Sequence, residues 1–317
     1  MKIIKTQDIL VYLKQNKVEC QILNKEHMQN EYAVASLFNP VDNGFYYLTG
    51  SSLEIQIKNS LILSEKPIGT NANLILHVKN ADVQILYYKL LHYFFGQQSS
   101  GIIDNLTKVN EKGKIGKNVQ IDAFTVIDNC NIGNNVIIGS HCRIHDNVTI
   151  EDNTVIESGS IIGTRGMAWV WNEDQTEKIT QPQLGGVIIG EGCILGANTI
   201  VVRGSLNENT QIGKYCHLAP GCRLGHGTKV GAYSHLANSV ITGGNTVIGG
   251  YCFIGSNAIF TPKIKIDDHT IVGAGSVVVK NTTKEGLTLV GVPAKELVTK
   301  DRLSGMPKPK ITIQKNK

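Results

Sequence analysis

The chain reads as a mainly β protein, a parallel β-helix of hexapeptide repeats preceded by a small α/β domain. Two observations predict this. First, isoleucine recurs at every sixth position, at Ile132, Ile138, Ile144, Ile150, Ile156 and Ile162, with small, polar or turn-forming residues between, as in "IGNNVI" and "IEDNTV". A period of six matches neither a helix face nor an alternating strand, but it fits a strand-and-corner unit, three of which close one triangular coil. Second, the 317 residues contain 33 glycines and only 6% aromatics. That composition suits a narrow aliphatic core with many corners at positive φ.

Residues 1–96 lack the six-fold period and read as the α/β domain. "TQDILVYLKQN" predicts a helix with Thr6 as N-cap, and "ADVQILYYKLLHYFF" (81–95) a second one with Asn80 as cap. "YAVASLFNP", "GFYYLTG" and "NLILHVK" predict strands. Residues 97–112 are a linker by composition, with "GQQSSG" at 96–101.

The β-helix is expected over 113–282. It starts near Ile115 and continues through Ile121 and Ile127, with one residue missing before Ile132. An excursion at 164–186, "TRGMAWVWNEDQTEKITQPQLGG", interrupts the repeat and holds both tryptophans. The period resumes at Ile189, Leu195 and Val201, slips, and is expected to run on through Leu206, Ile212, Leu218, Leu224, Val230 and Leu236. Thr242 takes the next slot, and Ile248, Ile254, Phe260, Ile266, Val272 and Val278 complete the series. Residues 283–317 are expected to leave the prism as a C-terminal extension, with the Lys-rich "MPKPKITIQKNK" frayed or lying on a neighbour.

Stacking makes residues eighteen apart vertical neighbours. On that basis Glu208, His226 and Gly244 form one column. Imidazole titrates near working pH and can take a proton from an attacking amine. A backbone N–H at Gly244 can face a developing oxyanion, and a carboxylate at Glu208 can orient the imidazole. His217 and His235 are also eighteen apart, but no third histidine completes a zinc set, so no metal is expected.

The hexads, "PQLGGVIIG" (182–190) and "GANTIVVRGSL" (196–206) resemble the left-handed β-helix acyltransferases, in particular the UDP-3-O-(3-hydroxyacyl)glucosamine N-acyltransferases. The ending "VGVPAKELV" is similar to that of coenzyme A-dependent sugar acetyltransferases. The resemblance implies a left-handed β-helix with a nucleotide-binding N-terminal domain. It also implies N-acylation of a nucleotide-linked amino sugar by acyl-CoA, with no permanently bound cofactor. His226 would be the general base and Gly244 the oxyanion donor. Phe45, Tyr46 or Tyr47 would form a nucleobase platform. Gln183, Asn198, Arg203 and Trp169 would contact the substrate, while Lys263, Lys280 and Lys295 would meet coenzyme A phosphates. Trp171 accompanies Trp169 on the loop, over the sugar or a neighbouring subunit. The family's prisms are homotrimers. Two alternatives stand beside this: an acyl carrier protein as donor, and a non-catalytic sugar-binding or scaffold trimer.

The net charge of +5 is too diffuse for nucleic acid. Seven cysteines without CxxC spacing suggest reduced thiols. The opening residues carry scattered charge and no signal segment, and the longest apolar run is too short to cross a bilayer, so a cytoplasmic protein is expected.

Overall fold

The computed structural model describes residues 1–50, 56–68 and 72–298; the Lys-rich tail lies outside them. The chain divides into two compact units, Met1–Gln97 and Gln98–Lys317.

The first unit is a six-stranded sheet with two helices. Its elements are β1 (Ile3–Lys5), α1 (Thr6–Gln15), β2 (Cys20–Leu23), β3 (Glu31–Val34), β4 (Gly44–Leu48), β5 (Leu61–Ser64), β6 (Leu74–Val78) and α2 (Val83–Phe95). The strand order is β1-β3-β4-β5-β6-β2. The central strands β3 to β6 are parallel, and β1 and β2 run antiparallel at the edges. Parallel strands are buried on both faces, and β5, "LILS", is buried throughout.

Both expected helix caps are corrected by tertiary contacts. Thr6 is the first residue of α1, and its hydroxyl donates to the Gln29 carbonyl (2.5 Å) instead of capping. The α2 cap is Asp82, whose carboxylate accepts from the Ile85 N–H (2.9 Å). Asn80 instead ties the Glu19 N–H (2.9 Å) and the Lys17 carbonyl (3.2 Å).

The second unit is a left-handed parallel β-helix. Its strands form three sheets, one per face of a triangular prism, with nine, eight and ten strands among the described residues, all parallel except the last of the ten. Most are only two residues long, because one inward aliphatic residue per face fills the narrow interior. Along one face the inward ladder runs Ile127, Ile144, Ile162, Val201, Leu224, Thr242, Phe260, Val278. Two residues before many inward positions sits a small buried hydroxyl or thiol that donates to a corner carbonyl. Ser234 bonds Gly249 O (2.8 Å) and Cys216 bonds Gly231 O (3.1 Å). This satisfies backbone acceptors that the turning chain would leave unpaired. All seven cysteines are free.

Many corners take the left-handed conformation, most often on asparagine, as at Asn135 (φ 55°), Asn153 (φ 59°) and Asn257 (φ 58°). Close approach of coils also requires glycine. A Cβ on Gly213 would lie 2.6 Å from the Ala232 nitrogen of the next coil.

Three details differ from the sequence expectation. Coil pairing begins earlier, with a parallel bridge of Ile103 to Ile121 and then Lys108–Val109 beside Val126–Ile127. It also continues later, because Thr288–Leu289 pairs with Ile271–Val272 before Lys295–Glu296 folds back antiparallel. The segment after Val278 therefore adds to the prism instead of leaving it. Finally, Leu206 is 52% exposed and is not an inward residue. Val201 lies beside Leu224, so the chain makes a small second excursion at 203–208 and re-enters the coil at Asn209–Ile212.

Candidate active site

Following one corner of the prism upward from its lower coils gives the column Asp146, Arg203, His226, Gly244, Pro262 and Lys280. Each lies two residues past an inward member of the ladder. His226 and Gly244 are in direct contact within it. The backbone is continuous between them, since Asn245 N–H donates to His226 O (2.7 Å). The half-buried imidazole lies flat against Gly244. A Cβ built there would sit 2.6 Å from His226 Cε1 and closer still to Nε2. Glycine is required here because any side chain would displace the ring. The Gly244 N–H donates to no group among the described residues, while its carbonyl accepts from Lys263 N–H (2.9 Å).

Behind this pair, Thr242 occupies an aliphatic slot for a reason the period does not show. Its buried hydroxyl accepts from Gly225 N–H (3.0 Å) and shares a hydrogen bond with Thr228 (2.9 Å). These bonds fix the backbone that carries His226 from inside the prism.

Glu208 does not hold the expected place in the column, since Val201 pairs with Leu224 and Arg203 takes the slot below His226; it ends the 203–208 turn, and its side chain is not on the histidine. Its Oε1 accepts from Ser205 N–H (2.6 Å) and its Oε2 from Leu206 N–H (3.0 Å). The tight 203–208 turn brings these two N–H groups to the carboxylate. The Leu206 N–H bond is the main cause of a carboxyl more acidic than usual. The group on His226 Nδ1 is instead Ser205, whose Oγ is 2.9 Å away. Sequence reading missed Ser205, which lies three residues from Glu208 inside the misread slip.

The substrate candidates separate into distinct places. Arg203 is a latch. Its guanidinium is buried, with Nε on Gly163 O (2.8 Å) and Nη2 on both the carbonyl (2.6 Å) and the carboxylate (2.8 Å) of Asp146. Gln183 is also buried. Its Oε1 accepts from Gly166 N–H (2.6 Å), and its Nε2 has no partner among the described residues. Arg203 thus ties Gly163, at the root of the excursion, to Asp146, and Gln183 ties the two limbs of the excursion to each other. Asn198 is a left-handed corner residue (φ 58°) at the other end of the Ile200–Val202 strand, away from Arg203. Trp169 lies on an exposed hairpin, Trp169–Trp171 against Lys178–Thr180. Lys178 Nζ sits 4.5 Å from the Trp169 ring and 5.6 Å from that of Trp171. Lys263 and Lys280 are exposed, one and two coils above Gly244 at the same corner. Lys295 is on a different face. His235 stacks on Phe253 (5.4 Å, 4°) and meets His217 edge-on at 6.3 Å.

In the first unit, Phe45 is fully buried in the core beneath α2 and is not available as a base platform. Alternation along β4 puts Tyr46 on the opposite face, buried, with its hydroxyl on the Val41 N–H and carbonyl (both 2.8 Å). Tyr47 returns to the helix face and lines a cavity of about 580 Å³ with Ser36, Phe38, Tyr87, Tyr88 and Leu91. Burial pushes the Tyr87 hydroxyl up to about 12.

The stacked coils and their corner column define a hexapeptide-repeat protein of the left-handed β-helix class. The bacterial transferase hexapeptide family (six repeats) matches residues 112–146, 205–243 and 245–280. Among solved structures, UDP-N-acetylglucosamine O-acyltransferase from Moraxella catarrhalis RH4 is similar at 23% identity with a TM-score of 0.56. The match covers 62% of this chain and 73% of that one. LpxA from Acinetobacter baumannii gives 21% identity, a TM-score of 0.55 and the same coverage. These likenesses concern the fold. A UDP-3-O-acylglucosamine N-acyltransferase of Xanthomonas euvesicatoria pv. vesicatoria (strain 85-10) is 42% identical over 52 residues. That match spans 15% of each chain.

Proposed function

We propose that the protein is an acyltransferase that moves an acyl group from acyl-CoA to the amino group of a nucleotide-linked amino sugar. The observation that carries this is the contact between the His226 imidazole and Gly244, with an unused N–H beside a ring nitrogen. The amine nitrogen attacks the thioester carbon while His226 takes its proton. The tetrahedral oxyanion accepts a hydrogen bond from Gly244 N–H. Collapse breaks the C–S bond, and the imidazolium returns the proton to the departing thiolate, leaving an amide and a free thiol.

Lys263 and Lys280, exposed above Gly244 on the same corner, support phosphate contacts to a coenzyme A donor. The aromatic cavity at Tyr47 and Tyr88 supports a nucleobase site in the first unit. Trp169 covers the acceptor sugar on this reading. Exposed aliphatics on the coil faces, Ile194 (42%), Ile241 (36%) and Ile259 (40%), favour burial between protomers of a homotrimer. No described helix is long and apolar enough to cross a membrane.

The test is thiol release from acetyl- and longer acyl-CoA, and from acyl carrier protein, with UDP- and dTDP-linked amino sugars. One pairing is expected to release thiol, and His226→Ala to lower the rate by about 10²–10⁴-fold. Undiminished turnover in the variant rejects the mechanism, and acyl carrier protein as the only donor rejects coenzyme A.

A further inference from the structure

Among the described inward residues of its ladder, Thr242 alone is polar, with Leu224 below it and Phe260 above. It is buried, where an unpaired hydroxyl is costly. Its Oγ1 accepts from Gly225 N–H (3.0 Å) and lies 2.9 Å from Thr228 Oγ1, which in turn reaches Gly243 O (3.4 Å). The Thr228 N–H closes the loop on Gly225 O (3.2 Å). Gly225 directly precedes His226, and Gly243 directly precedes Gly244. Two hydroxyls inside the prism therefore join the backbone beside the imidazole to the backbone beside the glycine it touches.

The rung between these coils bears the mark of that link. Gly225 N–H is shared with the Thr242 carbonyl, at 3.1 Å. The same rung is 2.8 Å one coil above, from Gly243 N–H to Phe260 O, and 2.8 Å on the other two faces at Ala219 and Gly231. Packing alone does not call for the oxygen. Valine has nearly the shape of threonine, and losing the hydroxyl strands no partner. Gly225 N–H keeps the carbonyl at 242, and Thr228 keeps Gly243 O.

We propose that Thr242 is a positioning residue of this site, its hydroxyl holding the Gly225–His226 backbone at a set distance from the Gly243–Gly244 backbone, so that the imidazole bears on Gly244. The catalytic part of this rests on the acyl-transfer reading above. The polar residue in an aliphatic ladder thus serves geometry at one coil, while the methyl group beside the hydroxyl does the packing.

Thr242→Val and Thr242→Ser separate the two roles, and the first readout needs no substrate. The His226 ring lies against Gly244, so its ring current displaces the Gly244 Hα resonances in NMR spectra, and His226→Ala supplies the ring-free values. In Thr242→Val these resonances are expected to move toward the ring-free values, with a melting temperature equal to wild type or above it. Thr242→Ser keeps the hydroxyl and loses the methyl group, so it should melt lower with the Gly244 resonances unmoved. Unmoved resonances in Thr242→Val, or displaced ones in Thr242→Ser, overturn the proposal whether or not any transferase activity is found. A fall of more than about 5 °C in Thr242→Val, or failure of that variant to fold, assigns the hydroxyl to stability and also overturns it. In the active enzyme, Thr242→Val is expected to lower kcat roughly tenfold, with KM for the nucleotide sugar changed less than about twofold, and Thr242→Ser to keep kcat within about twofold. Full kcat in Thr242→Val overturns the assignment. If the wild type releases no thiol with any substrate while the Gly244 resonances behave as expected, the acyl-transfer reading fails and the Thr242 assignment stands.

Discussion

His226 and Gly244 are one coil apart, and the imidazole of the first occupies the space that a side chain on the second would need. Gly244→Ala is therefore expected to fold, since the displaced atoms are the end of a side chain and the backbone bonds at 245 and 263 are untouched. The ring, however, must swing away from Gly244. Transfer activity should fall by about 10²-fold or more, with a melting temperature within about 3 °C of wild type. Thiol release and thermal unfolding measured on the same preparation check both halves. A fully active Gly244→Ala would dissociate the two residues.

The latch beneath the site should show in acid. The Arg203 hydrogen bond is the main cause that holds the Asp146 carboxyl below the usual carboxylate range. A carboxyl more acidic in the folded chain contributes stability above its unfolded value, and that contribution is lost as pH falls through the folded one. Wild type should therefore exceed Asp146→Asn in stability by a constant amount from about pH 7 to pH 5, with the gap closing below about pH 4. Asp146 is 52% exposed, so the gap should be small, about 1 kcal/mol or less. Urea unfolding of both proteins across this range measures it. A gap that widens in acid would contradict the pairing.

The aliphatic ladder should respond as a packed core. Leu236 is fully buried, between Leu218 below and Ile254 above. Leu236→Ala should cost about 2–5 kcal/mol. Chemical unfolding checks this, and a loss below 1 kcal/mol would show that the coil collapses onto the gap.

What could be read from the chain was set by periodicity. Every inward residue from Ile212 to Val278 follows from the six-residue rule, as does the stacking of His226 under Gly244. Leu206 shows where that rule fails. It stands six before Ile212, satisfies the repeat, and is nevertheless exposed, because an insertion can mimic a hexad in spacing without returning to the axis. Ser205 was hidden by the same insertion. The six-residue rule also set Glu208 beneath His226, a slot that Arg203 takes, and two local N–H groups capture the Glu208 carboxylate. Arg203 and Gln183 read as substrate contacts since polar residues beside a loop usually face solvent. Their burial depends on carbonyl and amide partners that only the folded excursion supplies. Thr6 and Asn80 were misjudged in the same way, their partners lying far along the chain.

The interchangeable coils above Gly244 have a consequence for how such a chain can change length. One extra circuit of eighteen residues spliced in after Ile266 would leave His226 and Gly244 where they are and raise everything above by about 4.8 Å. The span from His226 to the upper end can thus grow in fixed increments, like rungs added to a ladder. A fractional insertion has to be thrown outward, as at 164–186 and 203–208, or the faces would fall out of phase.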